Sequence, residues 1–254
     1  MTDPRSRRSG GRAGDLADAE PAGPPPAAAP DAAAEPPGTY RRVLAVVACL
    51  LLAMAAAFAA VVAEHPAHPP LAGLDKDWGS LLRPVRDAAL TDFAKFFSYL
   101  AGPLGGTIIA VAVALFLWFA RRRKVAAVFV VITPAVTSGA SQLIKHLVPR
   151  ARPGGGLVAA DAGSFPSGHV ITTLAVGLAL TLVLVRPGHH RWALAAVGAA
   201  TLVMIWCRTY LGVHRISDTL ESLFVAGGLV LALWVILGGR IAREAARTQG
   251  SQDP

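Results

Sequence analysis

Charge is scarce in this 254-residue sequence. Asp, Glu, Lys and Arg make up 16% of it, against roughly 25% in an ordinary soluble domain. Hydrophobic residues make up 54%, and mean hydropathy is +0.50. A water-soluble globule needs more polar surface, so a single soluble domain is excluded. Cysteine is scarcer still: Cys49 and Cys207 are the only two. In the topology derived below they lie toward opposite membrane faces. A disulfide needs Cα atoms within about 7 Å, so a disulfide-stapled fold is excluded and both read as apolar packing residues. Large apolar side chains are in turn almost lacking from residues 1–40, Leu16 and Tyr40 being the main exceptions, while eight prolines and ten alanines crowd there. Such a segment cannot bury enough surface to offset the entropy of ordering. It reads as a disordered, solvated tail, within which Pro24-Pro25-Pro26 has the composition of a polyproline ligand.

Six apolar segments follow, at about 43–63, 97–120, 125–148, 167–185, 192–213 and 217–239. A bilayer crossing needs about 20 residues. The first segment exceeds the 7–15 apolar residues of a signal peptide and follows a long leader, so it reads as an uncleaved anchor. The net charge of +8 would suggest nucleic acid in a soluble protein. Here it is placed otherwise. Arg121–Lys124 contributes +4, Arg186 and Arg191 contribute +2, and Arg41 and Arg42 precede the first segment. Basic residues thus gather in alternate connections, which puts both termini in the cytoplasm of a multi-pass plasma-membrane protein. The expected architecture is all-α. It comprises a six-transmembrane-helix bundle over 41–240, a disordered tail over 1–40 and a short cytoplasmic tail over 241–254. In the first outer loop, Trp78, Leu82, Val85, Ala89, Phe93 and Phe96 recur at helical spacing. They predict one amphipathic helix in the outer interface, capped by Asp77.

Charge at membrane depth is costly and marks function. Lys145, Arg152, His169, Arg208, His214 and Asp218 all fall at the outer ends of segments three to six or in the loops joining them. Three cations, two histidines and one carboxylate suit an oxyanion. Arginines bind phosphate oxygens as planar forks, and Lys145 adds a point charge. Ser167 and Gly168 open the fourth segment, where Gly168 allows close backbone approach and a helix N-terminus favours an anion. His214 and Asp218 are spaced i, i+4. If they share a helical face, Asp218 accepts from one imidazole nitrogen and leaves the other as a nucleophile. His169 is then the general acid. His65 and His68 sit among prolines that keep them off a helix, so they read as loop residues rather than metal ligands.

These residues stand in KHLVPRARP (145–153), PSGH (166–169) and CRTYLGVHRISD (207–218). The three motifs together resemble those of the type 2 phosphatidic acid phosphatase superfamily, the integral membrane lipid phosphatases, including bacterial undecaprenyl-diphosphatase and phosphatidylglycerophosphatase-like members. Ten of eleven signature positions match, in order and spacing. The resemblance implies a metal-independent, cofactor-free hydrolase acting at the outer membrane face on a lipid phosphate or diphosphate. The candidates are undecaprenyl diphosphate, phosphatidylglycerol phosphate and phosphatidate. It also implies that Lys145, Arg152, Ser167, Gly168 and Arg208 bind the phosphate, His214 is the nucleophile of a phosphohistidine intermediate, His169 protonates the leaving oxygen and Asp218 orients His214. Two positions depart from the pattern. Cys207 replaces the usual Ser. Glu221 stands where the family has a small residue, as a hydrogen-bonded interfacial acid or as part of the site. Arg150 and Arg215 flank the motifs, serving an acidic headgroup or facing solvent. A phosphotransferase would carry the same residues, and a non-catalytic binder or transporter of anionic lipids would not need both histidines. Nucleic acid is not an expected partner, and oligomeric state is open.

Overall fold

The computed structural model describes residues 38–65, 68–160 and 163–250, with side chains to 248. The tail expected over 1–40 therefore lies almost wholly outside the described residues. Eight α-helices run in chain order: α1 Gly38–Glu64, α2 Ala72–Leu82, α3 Ala88–Ala101, α4 Pro103–Leu115, α5 Lys124–Leu147, α6 Gly168–Leu184, α7 His190–Tyr210 and α8 Ile216–Gly250. A π-helical turn, Phe116–Ala120, extends α4, and a 3-10 turn, Pro187–His189, leads into α7. Among the described residues there is no strand.

Five stretches are long and apolar enough to cross a membrane: Gly38–Glu64, Ala88–Ala120, Lys124–Leu147, Pro187–Tyr210 and Ile216–Thr248. Helix α6 is apolar but has only 17 residues. At 1.5 Å per residue it is shorter than a hydrocarbon core of about 30 Å. Its apolar surface is covered by packing instead. It contacts α4, α5, α7 and α8, so its backbone is enclosed by protein. The core lies where α5, α6 and α8 meet, around Phe129, Val130, Ile171, Ala175, Val225, Ala226 and Val230. Many of these side chains are small, which lets helix backbones approach closely, as membrane interfaces require. The outer faces carry exposed Val43, Val46, Leu50, Ile108 and Val128, as lipid-facing surfaces should.

Pro134 lies inside α5 and withholds one backbone donor. The hydroxyls of Thr133 and Thr137 turn back onto the carbonyls of Phe129 and Thr133, at 2.7 and 3.0 Å. They keep the helix polar groups paired through the apolar interior.

The structure corrects two expectations. The helix predicted through Trp78 and Phe96 is two helices. Pro84 follows the end of α2, and Asp87, in extended conformation, caps α3 by accepting from Leu90 N at 2.8 Å. Phe93 and Phe96 therefore belong to the second spanning stretch, and Asp77 lies within α2 rather than capping it. The sixth segment does not end near 239 either, since α8 continues to Gly250. Its extension has a partner. Glu244 accepts from the backbone N–H of Val125 and Ala126, at 2.9 and 3.1 Å. Those are two of the four donors left over at the start of α5. Glu244→Ala is expected to cost about 1 kcal/mol, as loss of a helix cap does, read as a lower thermal midpoint in detergent. Glu244→Gln, keeping one acceptor oxygen, should lose less.

Candidate active site

The residues singled out by charge converge at one end of the bundle. Lys145 is in the last turn of α5, Arg152 in the loop after it, and Ser167 immediately before α6, with Gly168 and His169 in its first turn. Arg208 is in the last turn of α7, His214 in the short link to α8, and Asp218 in the first turn of α8. Lys145, Ser167, Arg208, His214 and Asp218 are all buried.

The His214 ring is fixed from both sides. Its Nδ1 is 2.6 Å from the Ser164 carbonyl. A carbonyl oxygen can only accept, so Nδ1 carries the proton and Nε2 carries the lone pair. Nε2 in turn is 3.3 Å from Arg152 Nη1, which also donates to the Val213 carbonyl at 2.6 Å. The Arg208 carbonyl accepts from the backbone N–H of both Val213 and His214, at 3.3 Å each. This ties the end of α7 to the ring. Burial holds the imidazole below its usual pKa of 6.5. Arg208 and Arg152 push the same way, and Asp218 opposes them.

Asp218 does not make the expected hydrogen bond to the ring. Its Oδ2 is 3.8 Å from His214 Nδ1, too far for one. It acts there by charge. The reason is competition: Oδ2 accepts from the Arg215 N–H at 2.8 Å, and Oδ1 is paired with Arg150 Nη1 at 2.5 Å. The tautomer is fixed as anticipated, but by the Ser164 backbone.

Arg150 is one of the residues whose role sequence reasoning missed. Its side chain does not face solvent, being only 9% exposed. Beyond Asp218, it bonds the Ser217 hydroxyl at 2.7 Å and Asp75 of α2 at 3.0 Å. Asp75 was missed altogether. Arg150 did stand inside the first motif, but nothing in the spacing links position 75 to 150 or 217. Helix α2 is further docked by Trp78 Nε1, which donates to Thr209 Oγ1 at 2.9 Å, and by Leu82, buried against Cys207, Tyr210 and Leu211.

The remaining positions fall as follows. Ser167 N donates to Ser222 Oγ at 2.9 Å, while its own hydroxyl is buried with no hydrogen-bond partner in the protein. Lys145 Nζ donates to the Gly163 carbonyl at 3.4 Å, in the same loop as Ser164. Glu221 is fully buried, and neither carboxylate oxygen has a hydrogen-bond partner. The reading of it as a hydrogen-bonded interfacial acid does not hold. Cys49 and Cys207 are free thiols. A cavity of about 800 Å3 opens beside His214, between α2 and the loop after α5. Lys76, Arg83, Arg86, Arg150 and Arg215 line it, with Asp75 the one carboxylate among its lining residues. Such a surface attracts anions.

The ring of His169 rests against Gly102, the N-cap of α4. A Cβ there would lie 2.5 Å from His169 Cδ2 and 2.1 Å from the Ser98 carbonyl oxygen. Gly102→Ala is therefore expected to lower the thermal midpoint in detergent. Gly139→Ala, where a Cβ meets nothing within 4 Å, should stabilise α5 by about 0.5–1 kcal/mol.

The sequence pattern of the PAP2 superfamily matches residues 127–242, which hold all three motifs. No curated protein matches the chain. Among solved structures, a transmembrane PAP2 type phosphatidylglycerolphosphate phosphatase from Bacillus subtilis has a similar fold, with a TM-score of 0.61 at 20% identity. The similarity covers 73% of this chain and 92% of that one. The likeness of this multi-pass membrane protein to the PAP2 superfamily thus rests on residues 127–242, and its likeness to the solved phosphatase is one of fold.

Proposed function

We propose that this protein hydrolyses a lipid phosphate or diphosphate through a phosphohistidine on His214, without a metal, at the outer face of the plasma membrane. The observation that carries this reading is the fixed tautomer of His214. Its Nδ1–H is committed to the Ser164 carbonyl, and its Nε2 lone pair faces the Arg152 guanidinium. A phosphate gripped by that guanidinium would sit in front of the nucleophilic nitrogen.

The steps follow from the residues. Lys145, Arg152 and Arg208 neutralise the phosphate oxygens, with Ser167 and Gly168 at the start of α6 adding hydrogen bonds. Nε2 attacks phosphorus, and the bond to the leaving oxygen breaks. His169 gives its proton to that oxygen, releasing a lipid alcohol or, from a diphosphate, a lipid monophosphate. Asp218 offsets the charge that appears on the imidazole. Water then attacks phosphorus, His169 takes up its proton, and inorganic phosphate leaves. Charge developing on the phosphoryl group meets fixed cations, which is the work a metal would otherwise do.

Undecaprenyl diphosphate, phosphatidylglycerol phosphate and phosphatidate are the substrates of choice, on the family resemblance. The B. subtilis protein of similar fold is named for the second of them. The outer-face placement is supported by Arg121–Lys124, a basic cluster at the end of α5 opposite to Lys145. It requires α6 to count as a sixth crossing and places both termini in the cytoplasm.

Phosphate release in detergent with EDTA present, compared between wild type and His214→Ala on the three lipids, tests the route. Release should survive EDTA and vanish in the variant. Release lost to EDTA, or kept by His214→Ala, would overturn it. The pH profile is a second check. His214 must be neutral, and its pKa is lowered mainly by burial. The acid limb of kcat/KM should therefore lie below pH 6.5, with an alkaline limb as His169 loses its proton. A monotonic rise from pH 4 to 10 would count against the two-histidine assignment.

A further inference from the structure

We propose that Asp75 is a positioning residue of this site: through Arg150 it holds the Asp218 carboxylate and sets the charge against His214. The proposal rests on the phosphatase reading above.

Asp75 belongs to none of the three motifs and sits on α2, a helix outside the matched family region. Its side chain is 5% exposed, and both oxygens are used. Oδ1 accepts from Ser217 N at 2.9 Å. Oδ2 accepts from the Ser217 hydroxyl at 2.6 Å and from Arg150 Nη2 at 3.0 Å. The other end of the same guanidinium, Nη1, reaches the Ser217 hydroxyl and Asp218 Oδ1. Asp218 Oδ2 then stands 3.8 Å from His214 Nδ1. One unbroken chain of polar contacts thus runs from α2 to the catalytic ring.

Its charges matter as much as its geometry. Two carboxylates share one guanidinium, which leaves a surplus of one negative charge. The ring faces Arg152 from the loop after α5 and Arg208 from α7. Arg215 lies next to it in the chain, Lys145 closes α5, and His169 opens α6. In that cationic company, Asp218 alone would be neutralised by Arg150. Asp75 takes up half of the guanidinium and restores the surplus. When Nε2 is phosphorylated while Nδ1 keeps its proton, the imidazole becomes cationic, and the surplus is what it meets.

Asp75→Asn keeps the shape and an acceptor for Ser217 but removes the charge. One negative charge fewer lowers the pKa of His214. The acid limb of kcat/KM is therefore expected to move to lower pH by roughly half a unit or more, the size of one screened charge beyond a bridging cation. kcat should fall about tenfold with KM within about twofold, because the interaction is realised in the transition state. Arg150→Gln removes a cation and should move the limb the other way.

The experiment uses the full chain in detergent. Wild type, Asp75→Asn, Arg150→Gln and His214→Ala are compared on the lipid phosphate that wild type cleaves fastest, so that the substrate's own ionisation cancels. A lowered limb in Asp75→Asn supports the proposal. An unmoved limb overturns it, whatever kcat does, because a merely structural loss would not change the titration. Should Asp75→Asn not fold, Arg150→Gln decides: a raised limb supports and an unmoved one overturns. If wild type shows no release that depends on His214, the phosphatase reading itself fails, and the proposal with it.

Discussion

One guanidinium, that of Arg150, joins three stretches of chain that are remote in sequence. It lies just past the end of α5, and it binds Asp75 on α2 and both Ser217 and Asp218 at the start of α8. Buried charges are tolerated only when paired and hydrogen-bonded. Here that constraint fixes geometry: with Asp218 committed to Arg150 and to the Arg215 N–H, its carboxylate has little freedom left. The His214 ring is then oriented by a backbone carbonyl on one side and a guanidinium on the other. The junction thus ties the helix that lines the cavity to the carboxylate beside the His214 ring.

The sequence made the spanning helices and most of the candidate site legible, for different reasons. Apolar runs report burial in lipid directly, so α1, α5, α7 and α8 were located from composition. Helix α6 was found as an apolar segment too, but it is shorter than the five spanning stretches and is enclosed by neighbouring helices. Lys145, Arg152, His169, Arg208, His214 and Asp218 were legible because charge near an apolar segment is rare. Convergence at one end followed from alternating helix direction. The Ser164 carbonyl was not legible: a backbone acceptor leaves no trace in residue type. Asp75 was hidden because an acid on an amphipathic stretch looks solvated until its partner is known. The break between α2 and α3 had its marks in Pro84 and Asp87, but the apolar periodicity that runs across them is the stronger pattern.

Polar groups in the bundle interior are handled in two ways. On α5, Thr133 and Thr137 return to their own helix and pair with its carbonyls, so the core around Phe129 stays apolar. At the site end, Ser167 and Glu221 are buried with side-chain oxygens unpaired within the protein. Unpaired buried atoms are not confined to that end, since Arg123 Nε at the start of α5 and Ser141 Oγ within it also lack a hydrogen-bond partner.

Helix α8 has 35 residues, about 52 Å at 1.5 Å per residue, well beyond a hydrocarbon core of about 30 Å. It is tied at one end to the loop after α5, where Arg150 meets Asp218, and at the other to the first turn of α5, which Glu244 holds. Ties near both ends oppose sliding of one helix past the other. A thinner or thicker bilayer must therefore be met by tilting the pair as one body, so that the separation of Lys145 from Asp218 is insulated from membrane thickness.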